Sequence, residues 1–235
     1  MGKRILFACE LGNGVRQADQ MLPIAAGLIA AGHDVRVAVP HDVAAVPMFR
    51  TAGLTVVDAP SWRARPPPGF LASTFADVLM VTGYATQESL RGLLSGWMSV
   101  VKTTAPDLVF AGLAPTAMLA CRIAGTAVAA IGDGYALPPP TAPLPSMRPW
   151  TEISQEQIAS AEGRVVPVIN ACLQAEGGEA LPALADLFTA DATYLCSFPE
   201  LDHYEGRGEA AYCGQVFGAS NRVSCDWPAG TAERV

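Results

Sequence analysis

Arg4-Ile-Leu-Phe-Ala-Cys-Glu-Leu-Gly-Asn-Gly14 decides the fold class. Residues 5–9 run apolar without polar alternation, the pattern of a strand buried on both faces. The Gly12-Asn-Gly14 loop then turns the chain into a segment where Met21, Ile24, Ala25, Leu28 and Ala31 recur at helical spacing. Gly32 closes that helix. Val35, Val37 and Val39 form a second strand, which Pro40 ends. A strand, a helix and a strand in this order predict parallel pairing, with the helix packed across the sheet.

The alternation continues along the chain. Asp42 is placed to cap a helix over residues 42–51, with Gly53 just past its end. Residues 54–58 read as a third strand. Residues 61–69 hold Pro66-Pro-Pro68 and read as loop. Leu90, Leu93, Leu94, Trp97 and Val101 line one face of a long helix. Asp107-Leu-Val-Phe-Ala111 is a fourth strand. Pro115 suits the first turn of a helix that Gly125 closes, and residues 127–131 form a fifth strand. Residues 137–149 are again Pro-rich loop. Ile158, Ala161, Val165, Ile169 and Cys172 mark another long helix, with Pro167 a potential kink, and Thr193-Tyr-Leu-Cys-Ser197 is a sixth strand. The expected fold is a Rossmann-like α/β domain. It has six or seven mostly parallel strands and helices on both faces, with no internal repeat.

Composition narrows the partners. Of 235 residues, 51% are hydrophobic and 16% charged, which implies a thick core rather than a disordered chain. The net charge is −7, from 15 basic and 22 acidic residues, and no Lys/Arg cluster occurs, so no nucleic-acid partner is expected. The six cysteines (Cys9, Cys121, Cys172, Cys196, Cys213 and Cys225) include no CxxC pair, and they read as free thiols in a reducing compartment. With only three histidines, no metal site is expected. The most apolar stretch, residues 21–39, is interrupted by Gly27, Gly32, His33, Asp34 and Arg36, so no transmembrane segment is expected. The first residues lack a long apolar leader, and the expected location is cytoplasmic.

In a parallel α/β sheet, ligands bind beyond the carboxyl ends of the strands. Residues 10–20, 61–70, 112–116 and 132–150 leave those ends. The two Pro-rich loops exceed the usual length of such connections and carry Trp62, Phe70, Tyr135 and Trp150. These rings either face an apolar ligand or pin the loops to the domain. The glycine loop does not fit a dinucleotide site. Val15-Arg-Gln17 follows Gly14, so the third glycine of G-x-G-x-x-G is absent, and Val39-Pro-His41 offers no acid for a ribose.

Four segments resemble a known family. They are Glu10-Leu-Gly-Asn-Gly-Val-Arg-Gln-Ala-Asp-Gln-Met-Leu-Pro-Ile-Ala25 with Ala31-Gly-His-Asp-Val35, and Pro106-Asp-Leu-Val-Phe-Ala-Gly-Leu-Ala-Pro-Thr-Ala117. The third is Ile131-Gly-Asp-Gly-Tyr-Ala-Leu-Pro-Pro-Pro140 with Leu144-Pro-Ser-Met-Arg-Pro-Trp150, and the fourth is Phe198-Pro-Glu-Leu-Asp-His-Tyr204. In this order they resemble the amino-terminal lobe of GT-B glycosyltransferases, of the bacterial UDP-glucuronosyltransferase-like and macrolide-glycosyltransferase-like group. The resemblance covers the whole chain. It implies an acceptor-binding lobe for a small lipophilic molecule, over residues 1–218. It also implies a carboxy-terminal donor lobe for UDP-sugar or another nucleotide sugar. Trp227-Pro-Ala-Gly-Thr-Ala-Glu-Arg-Val235 reads as the start of an interdomain linker over residues 219–235. The donor lobe is expected to be absent from these residues, present in cis or as a separate chain, so that no cofactor binds this chain and the lobe is inactive alone. A homodimer through an exposed apolar face is also open.

The implied chemistry is inverting hexosyl transfer, in which an acceptor hydroxyl attacks the anomeric carbon. A His after the first strand takes the proton and an Asp after the fourth holds the imidazole. The resemblance puts Gln17 at the His position and Gly112 at the Asp position. An amide takes no proton at neutral pH, so the usual relay is expected to be missing. Glu10, Asp19 and Asp133 are the substitute bases near the crevice. Asp19 equally suits a first helical turn, and Asp133, between two glycines, equally suits a turn. Glu10, Asn13, Trp62, Phe70, Asp133, Tyr135 and Trp150 are the candidate acceptor-binding residues. His33 reads as a packing and capping residue, His41 and His203 as surface or turn residues, and Glu200 and Asp202 as stabilisers of the segment before the linker. The rival readings are a non-catalytic binding module or split-enzyme subunit, a piece of an ordinary two-lobed enzyme, and a nucleotide-dependent oxidoreductase weakened by the incomplete glycine pattern.

Overall fold

A computed structural model describes residues 2–12, 14–64, 66–204 and 207–216. Asn13, Cys225 and the linker expected over residues 219–235 lie outside the described residues. Among the described residues, six strands form one parallel sheet in the order β3-β2-β1-β4-β5-β6. The strands are β1 Arg4–Cys9, β2 Asp34–Val39, β3 Thr55–Asp58, β4 Leu108–Gly112, β5 Val128–Gly132 and β6 Ala192–Leu195. The helices are α1 Val15–Ala30, α2 Val46–Thr51, α3 Phe75–Leu79, α4 Gln87–Thr104, α5 Pro115–Ala124 and α6 Gln155–Ala175. The expected Rossmann-like architecture is therefore met.

Alternation along β1 splits the core into two layers. Ile5, Phe7 and Cys9 face α1 and α2, where they meet Met21, Ala25 and Phe49. Leu6 and Ala8 face the other way, towards the layer built by α3 to α6 around Trp97, Leu94, Val165 and Ile169. Register locks these faces together: Phe7 lies opposite Val37 on one side and Phe110 on the other. The Phe7 and Phe110 rings stack at 5.0 Å. Each fully buried large side chain of this kind contributes roughly 1.5–3 kcal/mol.

Two local elements differ from expectation, and one long helix is continuous. The helix expected from Asp42 begins only at Val46, and Ala45 precedes it without a side-chain cap. Pro47 explains the shift, because proline fits the first turn of a helix and disrupts its interior. Asp42 instead pairs with Arg63 at 3.3 Å. The potential kink at Pro167 does not divide α6, which runs through it as one helix. Residues 75–84, which periodicity left unassigned, hold α3 and a wider-wound turn, Met80–Tyr84, containing Gly83 at φ 105°. Thr74 and Asp77 cap α3 reciprocally: Asp77 N–H donates to Thr74 Oγ1, and Thr74 N–H donates to the Asp77 carboxylate.

The sheet order sets where a ligand can sit. From β1 the chain builds outward through β2 and β3, then returns to place β4 on the other side of β1. The connections after β1 and β4 therefore diverge and open a crevice between them.

Candidate functional site

The crevice opens into a cleft of about 870 Å³ at the carboxyl edge of the sheet. Phe70 reaches it from the first Pro-rich loop, and Tyr135 and Trp150 from the second. Val78, Val81 and Met147 complete an apolar wall. Trp150 is 75% exposed and Tyr135 44% exposed. Both rings therefore keep much of their surface in water where they line the cleft. Backbone N–H groups pin the second loop: Met147 N–H donates to the Ser73 carbonyl at 2.9 Å, and Leu144 N–H to the buried Glu162 carboxylate at 2.7 Å.

Behind the cleft lies a hollow of about 210 Å³, lined by Gly12, Gln17, Gly112, Asp133 and Tyr135, among others. The two positions that the family resemblance assigns to the proton relay thus meet in space. A β-carbon on Gly112 would stand 3.7 Å from Gln17 Cγ. It would also collide with the Met21 Cε methyl, which occupies the room a side chain would need. Gln17 Nε2 donates to the Leu11 carbonyl at 3.2 Å. Arg16 forms an ion pair with Asp133, and both residues line the hollow and the cleft. Asp133 Oδ1 also accepts the Ala136 N–H at 3.0 Å, so its turn role and its place at the cavity coexist.

The other candidates fall elsewhere. Glu10 is buried and lines neither cavity. Its carboxylate accepts the Thr116 N–H at 2.7 Å and the Thr116 hydroxyl, at the start of α5. The same Thr116 hydroxyl bonds the buried Tyr84 hydroxyl at 2.7 Å. Burial pushes the Glu10 carboxyl up to about 7, against the opposing pull of the hydrogen bonds from Thr116 and Ala117. Glu10 thus occupies the donors where such a helix start would otherwise receive an anion. Asp19 lines neither cavity. Trp62 lines a separate cavity with His41, Asp58, Arg63 and Glu88, away from the other three rings.

Of the histidines, His33 Nδ1 accepts the Lys3 N–H at 3.0 Å, which fits its structural reading. His41 N–H donates to Asp58 at 3.0 Å on the surface. His203 lies in a bend, in keeping with its reading as a turn residue, and also lines the cleft, with its ring 4.1 Å from that of Tyr204. Asp202 and Arg207 form a buried ion pair, and Tyr212 donates to Asp202 at 2.7 Å. Arg207 Nη1 donates to the Leu137 carbonyl at 2.7 Å and its guanidinium lies 5.5 Å from the Tyr204 ring centroid, so the segment after β6 is clamped onto the loop after β5. Burial alone would raise the Asp202 carboxyl, but the hydrogen bonds from Arg207, Tyr204 and Tyr212 outweigh it and hold it below the usual range.

Arg16, Arg148 and Met147 line the cleft without any role in the sequence reading, and His203, read only as a surface or turn residue, joins them there. Arg148 and Met147 lie inside the third resembling segment, whose sequence candidates are Asp133, Tyr135 and Trp150. Among the described residues, no group of His, Cys, Asp or Glu is placed to hold a metal, and no helix is long and apolar enough to cross a membrane.

No protein-family model and no curated protein matches the sequence. Solved structures do match. The glycosyltransferase SnogD from Streptomyces nogalater is 17% identical, with a TM-score of 0.59, over 98% of this chain and 57% of its own. The spinosyn forosaminyltransferase SpnP is 20% identical, TM-score 0.55, over 94% of this chain and 52% of its own. The calicheamicin glycosyltransferase CalG4 is 16% identical, TM-score 0.57, over 91% and 52%. The chain spans about half the length of the structures it matches. Its fold is that of one Rossmann-like lobe of a GT-B glycosyltransferase.

Proposed function

We propose that this chain is the acceptor-binding, amino-terminal lobe of a glycosyltransferase that glycosylates a hydroxyl of a small apolar or aromatic molecule. One observation carries the reading: Phe70, Tyr135 and Trp150, from two separate loops, converge on one cleft at the switch point of this fold. Residues 1–218 form the acceptor lobe in this account, and residues 219–235 begin the connection to a donor lobe. Nucleotide-sugar binding belongs to that second lobe. The likeness to a glycosyltransferase solved with thymidine diphosphate supports this division.

The residues of this chain hold the acceptor, exclude water and present its hydroxyl to the hollow. Of the three carboxylates near the crevice, Asp133 lines the hollow whereas Glu10 and Asp19 do not, so the Asp133 carboxylate is the base available to receive the hydroxyl proton. Its ion pair with Arg16 must loosen for that step. A second reading, a non-catalytic binding lobe, is favoured by the Met21 methyl over Gly112 and by the Gln17 amide committed to the Leu11 carbonyl.

Fluorescence titration with 9-anthracenecarboxamide and calorimetry with thymidine-diphosphoglucose test the division of labour. The chain is expected to bind the fused ring at micromolar concentration and not the sugar nucleotide. Tight sugar-nucleotide binding with no uptake of the ring overturns the proposal.

A further inference from the structure

The molecule carries a net charge of −7, yet among the described residues the cleft that holds Phe70, Tyr135 and Trp150 has a net positive lining. Among the described residues, its Arg, Lys, Asp and Glu lining residues are Arg16, Arg148 and Asp133, two guanidinium groups against one carboxylate. Arg16 is committed to Asp133. Arg148 is half-buried, and among the described residues its guanidinium has neither an ion-pair nor a hydrogen-bond partner. Its backbone is fixed, with Arg148 N–H donating to Ser146 Oγ at 3.0 Å and its carbonyl accepting Thr151 N–H at 2.9 Å. It shares the cleft with Tyr135 and Trp150. Its charge reaches the Tyr135 phenol, where it opposes the upward push of burial and of Asp133.

Resting on the reading of this cleft as an acceptor site, we propose that its ligand is an aromatic carboxylate, with its rings on Tyr135 and Trp150 and its carboxylate paired with Arg148. A guanidinium half-removed from water and lacking a counter-ion is matched in shape and charge by a carboxylate, which it binds through two parallel hydrogen bonds. The rings supply contact area, and the charge selects among ligands of equal shape. The hydroxyl to be glycosylated then points away from Arg148, towards the hollow beside Gln17 and Asp133.

The test uses the whole 235-residue chain and two probes of nearly equal shape, 9-anthracenecarboxylate and 9-anthracenecarboxamide, followed by fluorescence. The wild-type chain is expected to prefer the carboxylate by about tenfold, as a charge-assisted pair allows. Arg148→Met is expected to abolish the preference, with carboxylate affinity falling several-fold more than amide affinity. Raising the salt concentration in the wild-type should shrink the preference, which checks the charge term without any substitution. Equal binding of the two probes by the wild-type chain overturns the assignment to Arg148 and leaves the cleft reading standing. Binding of neither overturns both. A preference that survives Arg148→Met, or displacement of the carboxylate by thymidine diphosphate at equal concentration, also overturns it. The latter would reassign the guanidinium to a phosphate.

Discussion

Replacing Glu10 by glutamine should stabilise the chain at alkaline pH and leave it unchanged at acid pH. The Glu10 carboxyl is buried, with its ordinary value of 4.5 pushed up to about 7. Below pH 4.5 the carboxyl is protonated in both folded and unfolded chains, and it contributes no pH dependence. Between 4.5 and 7 the folded chain keeps a proton that the unfolded chain has lost, so stability falls as pH rises. Above 7 the full penalty applies, on the order of 3 kcal/mol for a displacement of this size. The substituted amide would not ionise, and its carbonyl oxygen can still accept the Thr116 N–H. The displacement to about 7 already includes the attraction of the carboxylate for the Thr116 and Ala117 N–H groups at the start of α5, so the net gain at pH 8 stays on the order of 3 kcal/mol. Urea unfolding of the Glu10→Gln variant, followed by circular dichroism at pH 4.5, 6, 7 and 8, measures this. A difference between variant and wild-type that stays constant with pH would refute the reasoning. So would a variant less stable at pH 8, which would mean that the charged carboxylate is itself the stabilising form.

Three other substitutions probe the same architecture. Asp202→Asn leaves Arg207 buried without its counter-charge and should cost about 3–5 kcal/mol at pH 7 in urea melts. Because the Asp202 carboxyl is held low when folded, its contribution is complete above pH ~4 and should fade on further acidification. Trp150→Ala should change stability by less than about 0.5 kcal/mol, since the ring is exposed, yet weaken binding of the fused-ring amide by about tenfold. Gly112→Ala should cost about 1–3 kcal/mol in thermal melts, because the new methyl must displace Met21 Cε from a packed layer. An unchanged melting temperature would contradict the placement of Met21.

The strands and the presence of helices on both faces were legible because buried parallel strands and amphipathic helices leave period-based signals, whereas the spatial order of the strands came only from the structure. Residues 5–9 and the Leu90-to-Val101 stripe are examples. The start of α2 was misread because Asp42 offered a capping signal, whereas Pro47 carried the stronger constraint. Residues 75–84 were missed because α3 is too short for a periodic pattern, although Thr74 and Asp77 carried its cap in plain view. At the site, glycine and proline placement exposed the loops and their rings. What a sequence does not encode locally is which rings converge. Trp62 and Phe70 share one loop yet line different cavities, because Trp62 packs against Gly83 in the turn that the sequence reading missed. Glu10 sat beside the crevice in sequence, but its side chain turns into α5, a partner 106 positions away. The place of Arg148 and His203 in the cleft was hidden for the same reason: it depends on what lies across the cleft.

The most direct test of the central claim is a crystal structure of the chain grown with 9-anthracenecarboxamide and thymidine-diphosphoglucose together. The account predicts density for the fused ring between Phe70, Tyr135 and Trp150, and none for the sugar nucleotide within these residues. A ring seated instead beside Trp62, or a sugar nucleotide held in the hollow beside Gln17 and Gly112, would contradict it.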